Sequence, residues 1–290
     1  MMKYFSDKEA YIEKLEAFGA LPDDDIPLYE AALYLAALRH QGLSLDRYKN
    51  HVKKLADAVK SEHERLMAAG DEDKLETRLA ALKTIMVYEY EYQGDTENYD
   101  DLENADIVRV IDRRKGMPIT LSILYMEVSN TIGWDTCGLN WPGHFIVRMD
   151  KEGQRLMFDP FDGCKILQAP ELRQLLKKAL GDSAELSSAY YEAAVSREIL
   201  LRLQNNIKIR QIETEDYQGA LETVQILKMI APHEYRLQLD AGVLYARTGQ
   251  VEAAVVALED YIEQAPADKD RHDAALLLQH IKHTIGADLD

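Results

Sequence analysis

The stretch Gly116-Met-Pro-Ile-Thr-Leu-Ser-Ile-Leu-Tyr-Met-Glu-Val-Ser-Asn-Thr-Ile-Gly133, together with residues 134–159, decides the fold. Pro118 suits the first position of a helix, where its missing amide hydrogen costs little. Apolar residues continue to Ile132, and Gly133 offers a stop. The reading is a helix over 118–132. Three short segments of strand character come next, at 136–139, 144–149 and 154–159. Asp150-Lys-Glu-Gly153 between the last two is a hairpin signal. Residues 105–170 therefore read as a helix followed by antiparallel strands.

Upstream the texture is helical. Ser6-Asp-Lys-Glu9 predicts a capped helix within the first 20 residues, with Ser6 and Glu9 as a capping box. Asp23-Asp-Asp-Ile-Pro27 opens a second helix, carried by Leu28, Ala31, Ala32, Leu35 and Leu38 and ended by Gly42. A long polar-faced helix is expected over 44–69, with Val52, Leu55, Ala56 and Val59 on one side. A further helix is expected from Asp73 to about Tyr92. Its end alternates like a strand, but Leu75, Leu79, Leu82, Ile85 and Met86 keep the helical period up to it. Residues 94–104 form a polar break.

Downstream of Ser183 the chain again reads as helical. Ala220 to Pro232 and Ala254 to Pro266 show one pattern displaced by 34 residues. Val224 and Leu258 correspond, as do Leu227 and Tyr261. The second copy adds Gly242, Tyr245 and Gly249 where a tetratricopeptide repeat needs a small residue, an aromatic and a turn. The first copy has Lys208 and Gln211 in place of the Gly and Tyr. A capping helix is expected over 274–285.

Composition narrows the function. The 290 residues hold 34 Lys plus Arg against 51 Asp plus Glu, a net charge of −17. Such a field argues against nucleic acid and favours basic partners. No run of apolar residues is long enough for a membrane span, and the N-terminal residues lack a signal-peptide pattern. Two cysteines, Cys137 and Cys164, make no disulfide framework. A reduced, cytoplasmic protein without a cofactor is expected; the residues set no oligomeric state.

Two residues carry the chemistry. His144 comes after Trp141-Pro-Gly143, a turn that presents an imidazole to a cleft. Asp159 closes the next strand, fifteen residues on, within Phe158-Asp-Pro-Phe161. The intervening hairpin sets carboxylate and imidazole side by side, the orienting half of a nucleophile–base–acid triad. The nucleophile is absent: the preceding helix opens with Pro118, Ile119 and Thr120, and no cysteine. Thr120 is read as a hydroxyl donating to His144 or to a ligand. Asn104 and Trp141 complete the candidate binding residues. Cys137 and Cys164 lack a helix-dipole setting, and His144, Asp159, Asp162 and Cys164 match no familiar zinc spacing. His40, His51 and His63 are expected to face solvent.

Asn98-Tyr99, Asn104, the block Val110 to Tyr125, Pro142-Gly-His-Phe145 and Asp159-Pro-Phe161 together resemble the transglutaminase-like family of SirB type, including its C-terminal tetratricopeptide extension. The resemblance spans nearly the whole chain. It implies a mainly α protein with a small transglutaminase- or papain-like α+β core. In that superfamily a Cys, a His and an Asp perform acyl transfer or peptide hydrolysis. The His maps onto His144 and the Asp onto Asp159, while the Cys position falls near Pro118 and Ile119 and is not filled.

The expected organisation is a helical region over 1–95, a transglutaminase-like core over 96–182 and a tetratricopeptide-like domain over 183–290. The expected function is non-catalytic binding of a protein or peptide through a degenerate cleft and the repeats. The alternatives are a hydrolase or acyltransferase with a non-standard nucleophile, and a pure scaffold.

Overall fold

The computed structural model describes residues 2–40 and 42–287, with side chains over 8–40 and 42–283. The chain forms two compact units: Met1–Tyr11 with Pro22–Leu203, and Ile12–Leu21 with Gln204–Asp290.

In chain order the helices of the first half are α1 (Met2–Gly19), α2 (Leu28–Ala37), α3 (Leu45–Ala68) and α4 (Leu75–Lys83). Helix α1 starts before Ser6, so Ser6 does not cap it; the Ser6 side chain lies outside the described residues. Helix α3 buries Tyr48, Val52, Leu55, Ala56 and Val59, the stripe its sequence marks as apolar. The helix expected to reach Tyr92 stops earlier. After Lys83 it widens into one π-type stretch, Thr84–Glu89, in which the Tyr90 amide donates to the Ile85 carbonyl at 2.9 Å. Glu91 then adopts φ 57°, which ends the helix. The chain next enters β1 (Gln93–Gly94), paired in parallel with β2 (Lys115–Gly116). Helix α5 (Ile107–Arg113) lies between them, capped by Asp106, whose side chain accepts the amides of Val108 and Arg109.

Helix α6 (Pro118–Thr131) is the centre of this unit. Eleven of its residues from Pro118 to Ser129 are buried, as its nearly uninterrupted apolar sequence requires. A four-stranded antiparallel sheet lies against it in the order β3 (Asp135–Leu139), β4 (Ile146–Lys151), β5 (Gln154–Asp159), β6 (Lys165–Ile166). The turn between β4 and β5 has Glu152 at φ 51° and Gly153 at φ 80°, the backbone of a type I′ hairpin. It pairs Lys151 with Gln154 and Val147 with Phe158.

The sheet is covered on both faces. Val147, Met149, Leu156 and Phe158 are buried on the α6 side. Leu139 and Ile146 face the other way and pack with Leu172 and Leu176 of α7 (Ala169–Leu180), together with Trp141 and Leu167. Residues 182–195, expected to be helical, are a strap with a single 3-10 turn at Ser188–Tyr191. The strap covers the α7-side cluster with Tyr190 and Tyr191, which contact the Trp141 ring. Its Ala194 amide donates to the Gly138 carbonyl at 2.9 Å.

The remaining helices are α8 (Ser196–Glu213), α9 (Tyr217–Ile230), α10 (Arg236–Arg247), α11 (Val251–Gln264) and α12 (Asp268–Ala287). In the second repeat Gly242 of α10 lies against Leu258 of α11, so closely that a Cβ would fall 2.7 Å from Leu258 Cγ. Gly249 makes the turn between them at φ 75°. In the first repeat Lys208 replaces that glycine, and its ammonium reaches Asp240 Oδ2 at 2.5 Å. Gln211 accepts a hydrogen bond from the Thr223 hydroxyl at 2.8 Å. These polar contacts hold α8 where the glycine–aromatic pair would have done so.

Candidate functional site

The hairpin brings His144 and Asp159 together. Gly143, at φ 67°, turns the chain so that His144 leads into β4; a Cβ there would press on Ala179 of α7. Asp159 ends β5, on the face it shares with Met157 and Ile146. The His144 Nε2 lies 2.6 Å from Asp159 Oδ2, and the other carboxylate oxygen accepts the Phe161 amide at 2.9 Å. The side chains are 15% and 7% exposed, so the pair is desolvated but reachable at the imidazole. In the neutral imidazole Asp159 accepts from Nε2–H and Nδ1 is the lone-pair nitrogen. Among the described residues Nδ1 has no hydrogen-bond partner.

Aromatic rings and a guanidinium surround the pair. The Phe161 ring stands edge-on to the imidazole, and Tyr99 edge-on to Phe161. Gly94 leaves room for Phe161, whose ring and carbonyl a Cβ would strike. The guanidinium of Arg202 donates to the His144 carbonyl at 2.6 Å and lies over the Phe145 ring.

The other candidates take different positions. Thr120 is fully buried and donates to the Asn104 carbonyl at 2.5 Å rather than to His144. Asn104 is 1% exposed. Its side-chain amide donates to the Asn98 carbonyl at 2.7 Å, and its own carbonyl also accepts the Met117 amide. These two residues tie segment 98–104, which runs into the 3-10 turn Leu102–Ala105, to the start of α6, and their polar groups are spent internally. Trp141 is fully buried in the α7-side cluster, a core residue and not a surface for a ligand.

Neither cysteine has a nucleophile's environment. Cys164 is 3% exposed, and burial pushes its thiol up to about 12. Burial also raises the Cys137 thiol. Among the described residues no group of three or more His, Cys, Asp or Glu is arranged to hold a metal ion.

The three histidines expected in solvent are all engaged. His40 Nε2 lies 2.8 Å from Asp106, and His63 Nε2 lies 3.1 Å from Asp73. His51 meets the Tyr92 hydroxyl at 2.9 Å and an Arg114 nitrogen at 2.8 Å. Helical periodicity marks these residues as polar-face positions. Their partners lie on other elements, so no local pattern reveals them.

Residues 46–205, more than half of the sequence, match the transglutaminase-like superfamily. The chain belongs to that superfamily. Residues 207–279 match the tetratricopeptide repeat. This transglutaminase-like protein is similar to a UPF0162 protein of Xylella fastidiosa strain Temecula1, with 26% identity over 266 residues, or 91% of this chain and 92% of the relative. It is 31% identical over 164 residues to a UPF0162 protein of Pseudomonas aeruginosa, covering 53% of this chain and 59% of that protein. It is also 23% identical over 269 residues to the Homo sapiens F-box only protein 21, covering 85% of this chain and 42% of that protein. No solved structure matches it. Among the described residues no helix is long and apolar enough to cross a membrane.

Proposed function

We propose that this protein is a non-catalytic member of its superfamily, of the SirB type, that binds a protein or peptide. The observation that carries the reading is the combination of a His144–Asp159 pair with a helix start lacking any nucleophile. Pro118 and Ile119 occupy that start, and the Thr120 hydroxyl is bonded to Asn104. What remains is an imidazole nitrogen free to accept a hydrogen bond, framed by Phe161 and Tyr99. An extended peptide with its backbone N–H directed at Nδ1 fits that chemistry.

Tetratricopeptide repeats generally mediate protein–protein interaction. Two residues at equivalent positions support that role here. Ile209 and Val243, 34 residues apart on α8 and α10, are 50% and 37% exposed. Apolar side chains at one exposed position in the first helix of successive repeats offer a stripe to a partner segment.

The test uses the full-length protein and its His144→Ala and Ile209→Ser/Val243→Ser variants. The binding reading expects no turnover by any of them on a peptide, ester and amide panel. It also expects peptide capture that the variants weaken. A second reading, a hydrolase or acyltransferase, draws on the free Nδ1 as a base for a bound water. Turnover by the wild type that His144→Ala abolishes would establish that reading in place of the first.

A further inference from the structure

One cavity of the transglutaminase-like unit lies apart from His144. Its volume is about 410 Å³, and it opens between α3 and the end of α5. Arg47, Asn50, His51 and Lys54 line it from α3. Their spacing, i, i+3, i+4, i+7, puts them on one face of that helix. Asp112 and Arg114 line the opposite wall.

The charge balance of this cavity runs against that of the chain. Three permanent cations, Arg47, Lys54 and Arg114, face one carboxylate. That carboxylate, Asp112, pairs with Arg47 at 3.0 Å and accepts the Tyr48 hydroxyl at 3.0 Å. Lys54 and Arg114 have no carboxylate partner among the described residues, in a sequence with 51 acids for 34 bases. Two uncompensated cations therefore remain.

Arg114 is also placed with care. It adopts the left-handed backbone, φ 62°, at the end of α5, a conformation that non-glycine residues rarely take. Its guanidinium lies 4.8 Å from the Tyr92 ring centroid and 5.6 Å from that of Tyr90. One of its nitrogens donates to the Tyr92 hydroxyl and to His51 Nε2. A ring nitrogen that accepts from a guanidinium carries no proton. Desolvation and the neighbouring cations hold His51 down at about 4, so it supplies a neutral wall.

We propose that this cavity binds a compact oxyanion carrying two or more negative charges, of the phosphate or polycarboxylate class, between Lys54 and Arg114. Two uncompensated cations match a dianion in charge. A guanidinium fixed by stacking presents its remaining N–H groups in the planar fork that oxyanions accept. The site is independent of the binding function proposed above.

The test is isothermal titration calorimetry on the full-length protein at constant ionic strength, with inorganic phosphate, pyrophosphate and citrate as separate titrants. At least one is expected to bind. Phosphate or pyrophosphate alone would assign the phosphate class, and citrate alone the polycarboxylate class. Arg114→Gln and Lys54→Gln are each expected to weaken binding about tenfold. Asn50→Glu, at an exposed position that leaves the packing intact, is expected to do the same by repulsion. Lys178→Gln, on α7, is expected to leave binding unchanged. No heat from any titrant would overturn the proposal. So would binding insensitive to Lys54→Gln and Asn50→Glu, or weakened equally by Lys178→Gln.

Discussion

The carboxylate of Asp159 serves two masters, the His144 imidazole through Oδ2 and the Phe161 amide through Oδ1. Removing it strands two partly buried donors. Asp159→Ala is expected to lower stability by about 3 kcal/mol, from two unsatisfied groups. Asp159→Asn is expected to cost about 1 kcal/mol, because an amide keeps the Phe161 bond and the imidazole can change tautomer. Urea denaturation of the three proteins measures the difference. Equal stability of Asp159→Ala and wild type would refute the account.

Gly242 predicts a packing defect. A methyl there meets Leu258, which is fully buried. Gly242→Ala should destabilise the protein by about 1–3 kcal/mol, in the range of overpacked cores. Leu258→Ala should relieve part of that loss, giving strong coupling in a double-mutant cycle. Strict additivity of the two changes would show that the helices do not approach as closely as described.

Two histidines should pull the pH dependence of stability in opposite directions. His40 gains a carboxylate partner in Asp106, which raises its pKa above the ordinary value of 6.5. Its contribution is present below 6.5 and is lost as pH rises through the higher folded value. His51 is depressed to about 4. Between pH 6.5 and 4 the unfolded chain binds the extra proton, so its contribution is present above 6.5 and fades as pH falls towards 4. His40→Gln should therefore cost more at about pH 5.5 than at about pH 9, and His51→Gln should flatten the acid limb. Denaturation midpoints across that range decide both, and an unchanged acid limb in His51→Gln would contradict the second.

The cysteines should be unreactive in the native protein. With its thiol pushed up to about 12 and 3% exposed, Cys164 is expected to resist iodoacetamide at about pH 8 until the chain unfolds. Cys137, half-buried with a raised pKa, should react slowly. Mass spectrometry after timed alkylation reads both. Rapid native labelling of Cys164 would reopen the question of a thiol nucleophile.

What could be read from residue order divides along a physical line. The apolar run from Pro118 and the turn at Glu152-Gly153 are local signals, and α6, β4 and β5 arise from them. The repeat at 34 residues is local twice over, and Gly242 against Leu258 accounts for it. Ile85 and Met86 stay buried through the π-type stretch at Thr84–Glu89, so the apolar pattern gave no sign of the widened turn or of the break at Glu91. The 182–195 strap has no period of its own; it is shaped by Trp141 and by the edge of β3. The pairing of His144 with Asp159 was legible because a single hairpin creates it. The commitment of Thr120 to Asn104 was not, since a 3-10 turn sixteen residues upstream supplies the acceptor.

The Glu152-Gly153 turn gives the His144–Asp159 pair an unexpected point of vulnerability. Side chains on a strand alternate between faces, so a slip of one residue between β4 and β5 would carry Asp159 away from the imidazole and towards α6. The φ of 80° at Gly153 keeps the two-residue turn in register, and nothing lies within 4 Å of where its Cβ would be. A bulky residue at 153 would therefore meet no obstacle in space, only a backbone it cannot comfortably adopt. Variation at this outlying tip is a remote control on the pair: it could silence His144 while every residue around the imidazole stays as it is.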